Sequence, residues 1–228
     1  MSKLSKVTVV GSGYVGMSIS VLLAQKNEVK VIDIDPEKVS KINNKVSTIN
    51  DKDIDSFFLE KKLSIKATES KIDAYKEADF IIVATPTDFI EELNYFDTTL
   101  VDEVLNDIIN INNKAIIVIK STLPIGHTKK LQKKFNTNRI IFSPEFLREG
   151  SALYDNLYPS RIIVGNEHPK SIEFSSILVD AAKKKSICVM HVSSSEAEAI
   201  KLFSNSYLAM RVAFFNELDS FAMDNKLN

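Results

Sequence analysis

Three glycines, Gly11, Gly13 and Gly16, follow the apolar run Lys6 to Val10 and precede Met17 to Ala24, a stretch of helical composition. A second apolar run ends in Val31, Ile32 and Asp33. This order of strand, glycine turn, helix and acid is the pattern of a dinucleotide site, and each part has a physical task. Gly11 makes the turn, Gly13 lets the backbone approach a pyrophosphate, and Gly16 lets the helix lie close against the strand. The phosphates then rest on unpaired N–H groups at a helix N-terminus, where the dipole also favours negative charge. Asp33 is placed to take ribose hydroxyls. A carboxylate there repels a 2′-phosphate, so the pattern specifies NAD in preference to NADP. Glycines at this spacing also occur in ordinary turns; the flanking strand, helix and acid supply the specificity.

To hold such a turn the chain must alternate strands with helices, and it does. Asp35 and Pro36 read as a helix cap followed by proline at the first helical position, opening a helix to about Asn43. Lys45 to Glu60 reads as a loop and a short helix carrying Phe57 and Phe58, Ile65 to Thr68 as a modest strand, and Ser70 to Lys76 as a short helix. Phe80 to Ala84 is a continuous apolar run, the signature of a strand buried on both faces. A helix from about Thr98 to Asn110, a strand Ala115 to Ile119, a helix His127 to Phe135 and a strand Arg139 to Phe142 follow. The alternation predicts an α/β fold, a doubly wound and mostly parallel Rossmann-type sheet with right-handed crossovers. Ligands of such sheets bind beyond the carboxyl ends of the strands. Gly11 to Gly16, Thr85 to Thr87, Ser121 to Gly126 and Ser143 to Gly150 should therefore converge on one crevice.

The last part differs in kind. From Ser195 to about Asn225 there is no proline and no glycine, and Ile200, Phe203, Tyr207, Met210, Phe214, Glu217 and Phe221 recur at three- and four-residue steps. This predicts one long C-terminal helix of roughly 45 Å at 1.5 Å per residue. Ser194 or Ser195 is expected to cap it, with Glu196 and Glu198 as acids of its first turn. The division expected is a Rossmann NAD-binding domain over 1–193 and, over 194–228, a long helix that starts a central dimerisation domain. A helix this long with bulky residues on more than one side is expected to pack on a second domain or subunit, and a homodimer through 195–225 is the expected assembly.

The 228 residues suffice for one full α/β core. With a net charge of −1 and basic and acidic residues interspersed, no basic face advertises nucleic acid. No apolar run approaches the ~18 residues that span a bilayer, and the chain enters its first strand without a signal segment, so a cytoplasmic location is expected. Cys188 lies in an apolar run expected to be a buried strand, where it serves as a small core hydrophobe. His127, His168 and His191 have no metal-ligand spacing, and no metal is expected. The run Lys183 to Lys185 reads as a solvated helix end.

Several stretches together resemble the nucleotide-sugar dehydrogenases, and within them the short bacterial UDP-glucose 6-dehydrogenases. They are Gly-Ser-Gly-Tyr-Val-Gly at 11–16, Ala-Thr-Pro-Thr at 84–87, Lys-Ser-Thr-Leu-Pro-Ile-Gly at 120–126, Phe-Ser-Pro-Glu-Phe-Leu-Arg-Glu-Gly at 142–150, Leu-Tyr-Pro-Ser-Arg at 157–161 and Glu-Ala-Glu-Ala-Ile-Lys-Leu-Phe-Ser-Asn at 196–205. The resemblance implies NAD-dependent oxidation of the primary alcohol of UDP-glucose to the carboxylate of UDP-glucuronate. Two hydride transfers would pass through an aldehyde and a thioester on a cysteine. It implies that Gly11, Gly13, Tyr14, Val15, Gly16, Asp33, Lys38, Thr87, Thr122 and Glu149 hold NAD. The sugar nucleotide would lie along Glu145, Phe146, Leu147, Arg148 and Glu149 and meet Lys201 and Asn205. Thr122, Glu145, Lys201 and Asn205 are the implied catalytic residues.

The chemistry of these residues suits the roles. Lys201 and Asn205, four apart on one helix face, can both donate to one oxygen and stabilise an oxyanion. Glu145, among Phe142, Phe146 and Leu147, suits general base work on a water that Thr122 orients. The family's nucleophilic cysteine lies in a Gly-x-Cys-x-Pro-Lys-Asp block, and no such block stands in these 228 residues. The expectation is therefore that the sequence corresponds to the N-terminal part of such an enzyme and does not complete the reaction alone. Open alternatives are a dehydrogenase of UDP-N-acetylmannosamine or GDP-mannose, a β-hydroxyacid dehydrogenase, against which the Ser-Pro-Glu-Phe block argues, and a catalytically silent NAD-binding dimerisation fragment.

Overall fold

A computed structural model describes residues 4–90, 92, 95–165 and 168–227. The chain runs β1 (Lys6–Val10), α1 (Tyr14–Ala24), β2 (Glu28–Ile32), α2 (Pro36–Asn43), α3 (Lys52–Glu60), β3 (Ile65–Thr68), α4 (Lys71–Tyr75), β4 (Phe80–Val83), β5 (Phe89–Ile90) and β6 (Tyr95–Phe96). It continues with α5 (Thr99–Ile111), β7 (Ile116–Ile119), α6 (His127–Lys134), β8 (Ile140–Phe142), α7 (Ala152–Leu157), β9 (Arg161–Gly165), α8 (Lys170–Ala181), β10 (Cys188–Val192) and α9 (Ser194–Asp224). The main sheet has the order β3-β2-β1-β4-β7-β8, and every pairing in it is parallel. This is the doubly wound Rossmann-type arrangement that the alternation predicts. The hairpin β5–β6 and the elements α7 and β9 are not anticipated from the sequence, and of α8 only its end, before the run Lys183 to Lys185, is.

The sheet is buried on both faces because its central strands are apolar at every position. In β4, Phe80 and Ile82 point into one core with Val9, Val118, Ile141 and Phe174, while Ile81 and Val83 point into a second core with Ile117, Leu105, Leu131 and Phe142. The period-two alternation of strand side chains divides them this way. Helices α1, α3, α7 and α8 cover the first face, and α4, α5 and α6 the second. Thr8 is the polar exception inside β1. Its hydroxyl donates to the Ala74 carbonyl at 2.5 Å, so the buried group has its partner.

Helix starts follow local chemistry. Asp35 accepts from the Glu37 amide at 2.9 Å with Pro36 at the first helical position. Asp51 caps α3 through Oδ1 and with Oδ2 accepts from the Leu153 amide at 3.1 Å, tying α3 to α7. The cap of α9 is Ser193, not Ser194 or Ser195: its hydroxyl accepts from the Glu196 amide while the Glu196 carboxylate accepts from the Ser193 amide, a reciprocal capping box. Ser194 turns inward and accepts from the Phe142 amide. Glu198 is not a solvent-facing acid of the first turn either; it is fully buried.

Beside the main sheet, β9 and β10 form a parallel pair of their own, joined to the end of β8 by Ser143, whose hydroxyl donates to the Ile163 carbonyl. Cys188 corrects the expectation of burial, for it is exposed. It opens β10, which pairs with β9 on one side, and the core is reached only by Val189, Met190 and Val192 further along the strand. Helix α9 rests its first two turns on β8, β9 and α6. Among the described residues, Ser204 is the last of the helix with a side-chain hydrogen bond to the body, to Arg161, and Phe203, Tyr207, Leu208, Met210, Val212, Phe214, Phe215, Leu218, Phe221 and Met223 are all exposed. No helix among the described residues is long and apolar enough to cross a membrane.

Candidate active site

The glycine turn is shaped by contacts that side chains would break. Gly11 has φ of +91°, its amide donates to the Ile32 carbonyl at 2.9 Å, and a Cβ on it would lie 2.9 Å from the Ala84 oxygen. A Cβ on Gly16 would lie 1.9 Å from the Gly11 oxygen, so only glycine lets α1 come this close. Gly13 is different. It is the N-cap of α1, no side chain caps the helix, and the space where its Cβ would stand is open for 4 Å. An uncapped helix N-terminus facing open space is a cradle for phosphate, and the residues present fit a dinucleotide. Tyr14 and Val15 begin the helix half-buried. Asp33, at the end of β2, accepts from the Ser12 amide at 2.9 Å and the Ser12 hydroxyl through Oδ2, and from the Asp35 amide through Oδ1. Its carboxylate is thereby fixed against the glycine turn, with acceptor sites left over for hydroxyl donors. Lys38 lies half-buried on α2.

The four segments after the strands are stitched to one another along the carboxyl rim of the sheet. The Ala84 amide donates to the Val10 carbonyl, the Ser121 hydroxyl to the Thr85 carbonyl at 2.6 Å, and the Ser143 amide to the Ile119 carbonyl at 2.9 Å. Thr87 and Thr122 are half-buried on this rim, and Glu149 is exposed at its far end.

Lys201 reaches the rim from α9. Its ammonium donates to the Glu145 carbonyl at 2.9 Å and pairs with Glu145 Oε1 at 2.6 Å, while Oε2 accepts from the Leu147 amide at 3.0 Å. Both side chains are largely withdrawn from water, at 8% and 15% exposure. Phe146 carries the Arg161 guanidinium 4.0 Å above its ring, with the Lys201 ammonium at 5.7 Å, and Arg161 also donates to the Ser204 hydroxyl. Arg148 is held by Asp155 through two nitrogens. Asn205 is not drawn in: it is exposed, and its side chain takes no hydrogen bond from the described residues.

Three residues here escaped the sequence reading. Lys120, at the end of β7, is 6% exposed, and its ammonium donates to the Ser143 carbonyl at 3.2 Å. Burial pushes its pKa down to about 8, opposed by Glu145 and reinforced by Lys201. Glu198 accepts from the Gly126 amide, from the Thr128 amide at 2.8 Å and from the Thr128 hydroxyl at 2.6 Å, so it caps α6 from another helix. Arg161 covers Phe146. Lys120 was legible only as a charged residue ending a fully apolar run, and Glu198 only as a Glu one turn before Lys201. A wider recess of about 690 Å³ opens at the opposite ends of β1 and β2. Its Lys6 and Lys30 are paired with Glu77 and Asp73, and it lies away from every segment described above.

Residues 5–182 match the sequence model of the UDP-glucose/GDP-mannose dehydrogenase family, NAD binding domain. Over 225 residues the chain is 50% identical to a UDP-glucose 6-dehydrogenase of Campylobacter jejuni, taking in 98% of this chain and 57% of the relative. A UDP-glucose 6-dehydrogenase of Streptococcus pneumoniae is 47% identical over 229 residues, taking in 98% and 58%. The chain thus spans somewhat over half the length of these curated relatives. Among solved structures, a UDP-glucose dehydrogenase from Pyrobaculum islandicum has the same fold, with a TM-score of 0.84 over 100% of this chain and 58% of that one at 24% identity.

Proposed function

The chain belongs to the UDP-glucose/GDP-mannose dehydrogenase family, whose NAD-binding domain it carries, and from that premise we propose that it serves the oxidation of UDP-glucose to UDP-glucuronate. The observation that carries this reading is the Lys201–Glu145 pair, seated on the rim whose other end is the open glycine cradle. NAD, when bound, supplies the oxidant that takes up the hydride of the alcohol carbon. Gly11, Gly13, Tyr14, Val15 and Gly16 would hold its phosphates, Asp33 and Lys38 its ribose end, and Thr87, Thr122 and Glu149 the rest. Lys201 and Asn205 would donate to the reacting sugar oxygen and steady its negative charge. Glu145, with Thr122 orienting a water, would take the proton. Phe146, Leu147, Arg148 and Glu149 would line the sugar nucleotide. In this reading residues 1–193 are the NAD domain and 194–228 begin the part that joins two copies, supported by the apolar residues that α9 leaves exposed.

The test is calorimetric titration of NAD, NADP, UDP-glucose, UDP-N-acetylmannosamine and GDP-mannose, followed by NADH absorbance with each sugar. The expected result is NAD-dependent, UDP-glucose-specific reduction, lost in Lys201→Ala and Glu145→Ala. Absence of NAD binding, or equal response to the three sugars, overturns the reading.

A further inference from the structure

Between the rim and β9 lies a small cavity of about 40 Å³, whose charged lining is Lys120, Glu145, Asp155 and Arg161, with Ser143, Asn156 and Ser160 as its neutral polar residues. Lys120 is the buried cation of this lining. A lysine this deep is costly unless its charge is matched, yet among the described residues its only hydrogen-bond acceptor is the Ser143 carbonyl. Glu145, the carboxylate in its electrostatic reach, already pairs with Lys201 at 2.6 Å. The other acid on the cavity, Asp155, pairs with Arg148 at 2.8 Å, and Arg161 lies against the Phe146 ring. In the part of the site most withdrawn from water, Lys120 and Lys201 thus carry two positive charges against the single negative charge of Glu145.

We propose that Lys120 and Lys201 bracket Glu145 to make an anion subsite, in which the uncompensated ammonium of Lys120 receives a carboxylate or alkoxide oxygen. This rests on the dehydrogenase reading to the extent that such an oxygen arises when an alcohol becomes an acid. The subsite binds small carboxylates whether or not that reaction occurs. The cavity has room for about one small polar group, since a water in the liquid occupies roughly 30 Å³. An anion there would restore the neutral balance that the buried charges lack, and would keep Lys120 protonated.

The groups facing Lys120 are Glu145 from the β8 rim, Lys201 from α9, Asp155 from α7 and Arg161 from β9. Its ammonium titrates near 8 in the fold, against 10.5 ordinarily. Between these values the unfolded chain binds more protons than the folded one, so stability rises with pH across that window. The experiment is thermal unfolding of the purified chain, Lys120→Met and Lys120→Arg, with about 0.1 M sodium formate or sodium chloride at equal ionic strength. In chloride, from about pH 7.5 to 9.5, the midpoint of the native chain should rise by about 5 °C relative to Lys120→Met. Formate should raise the native midpoint at the lower pH and flatten the rise. Lys120→Arg should keep the formate effect at both pH values, and Lys120→Met should lose it. Parallel pH profiles, or equal formate effects in the native chain and Lys120→Met, overturn the proposal. If Lys120→Met does not fold, a native chain that responds identically to formate and chloride at both pH values overturns it too. NAD titration on the same samples reads the dehydrogenase assignment separately: failure there with the formate effect intact removes the function and leaves the subsite.

Discussion

At the scale of single residues, two glycines of one turn predict opposite outcomes. Gly16→Ala puts a Cβ 1.9 Å from a backbone oxygen and should cost about 3 kcal/mol or more, since overpacking against backbone has no cheap relief. Urea unfolding measures it. Gly13→Ala meets open space at an extended φ of −75°, so the free chain should keep its stability to within about 1 kcal/mol. NAD affinity should nevertheless fall at least about tenfold as the methyl enters the phosphate cradle. Wild-type affinity in a well-folded Gly13→Ala would contradict this assignment of the cradle. At Asp33, replacement by Ala should narrow the preference for NAD over NADP, read as the ratio of the two dissociation constants by calorimetry. The glycines and Asp33 were legible because their spacing along the chain is the signal. Lys120 was not, because its meaning comes from Ser143, Glu145 and Lys201, which only the folded sheet gathers around it.

Elements were legible wherever their signals are local. Asp35 and Pro36 open α2 as their types require, and the apolar runs of β4 and β7 read directly as buried strands. The two-residue strands of the β5–β6 hairpin are too short for periodicity to register. At the start of α9, Ser193, Ser194 and Ser195 are equivalent as cap residues by type. The choice falls on Ser193 because Ser194 is taken by the Phe142 amide and Glu196 stands three residues after Ser193. Glu198 was misread for a related reason: its partners lie some seventy residues away, at the N-terminus of α6. That helix has no acid of its own in its first turn and no side-chain cap within it. Glu198→Ala strands the Gly126 and Thr128 donors and should destabilise the chain by about 3 kcal/mol. Glu198→Gln, which keeps one acceptor oxygen, should cost less. Guanidinium unfolding of the two variants checks the order, and a loss under about 0.5 kcal/mol for Glu198→Ala would refute the capping role.

The whole molecule has a folded body and a helix that leaves it. A helix apolar on many sides is ordinarily buried, and the exposed stretch from Phe203 to Met223 invites a second surface. Light scattering at concentrations on the order of tens of micromolar should return twice the chain mass, and Phe214→Glu should return it to one. A single-chain mass in the unsubstituted protein would sink the pairing. The 31 residues of α9 contain neither glycine nor proline, and the helix is clamped at its root by the Ser193 cap, Glu198 and Lys201. It therefore behaves as a stiff lever with its fulcrum at the site. Lys201 sits near the fulcrum and Asp224 roughly 35 Å out along the arm. A grip on the outer arm that swings it by several ångströms would shift the Lys201 ammonium by a fraction of one, enough to lengthen or shorten its bond to Glu145. By reciprocity, whatever occupies the site must in turn bias how the arm is held.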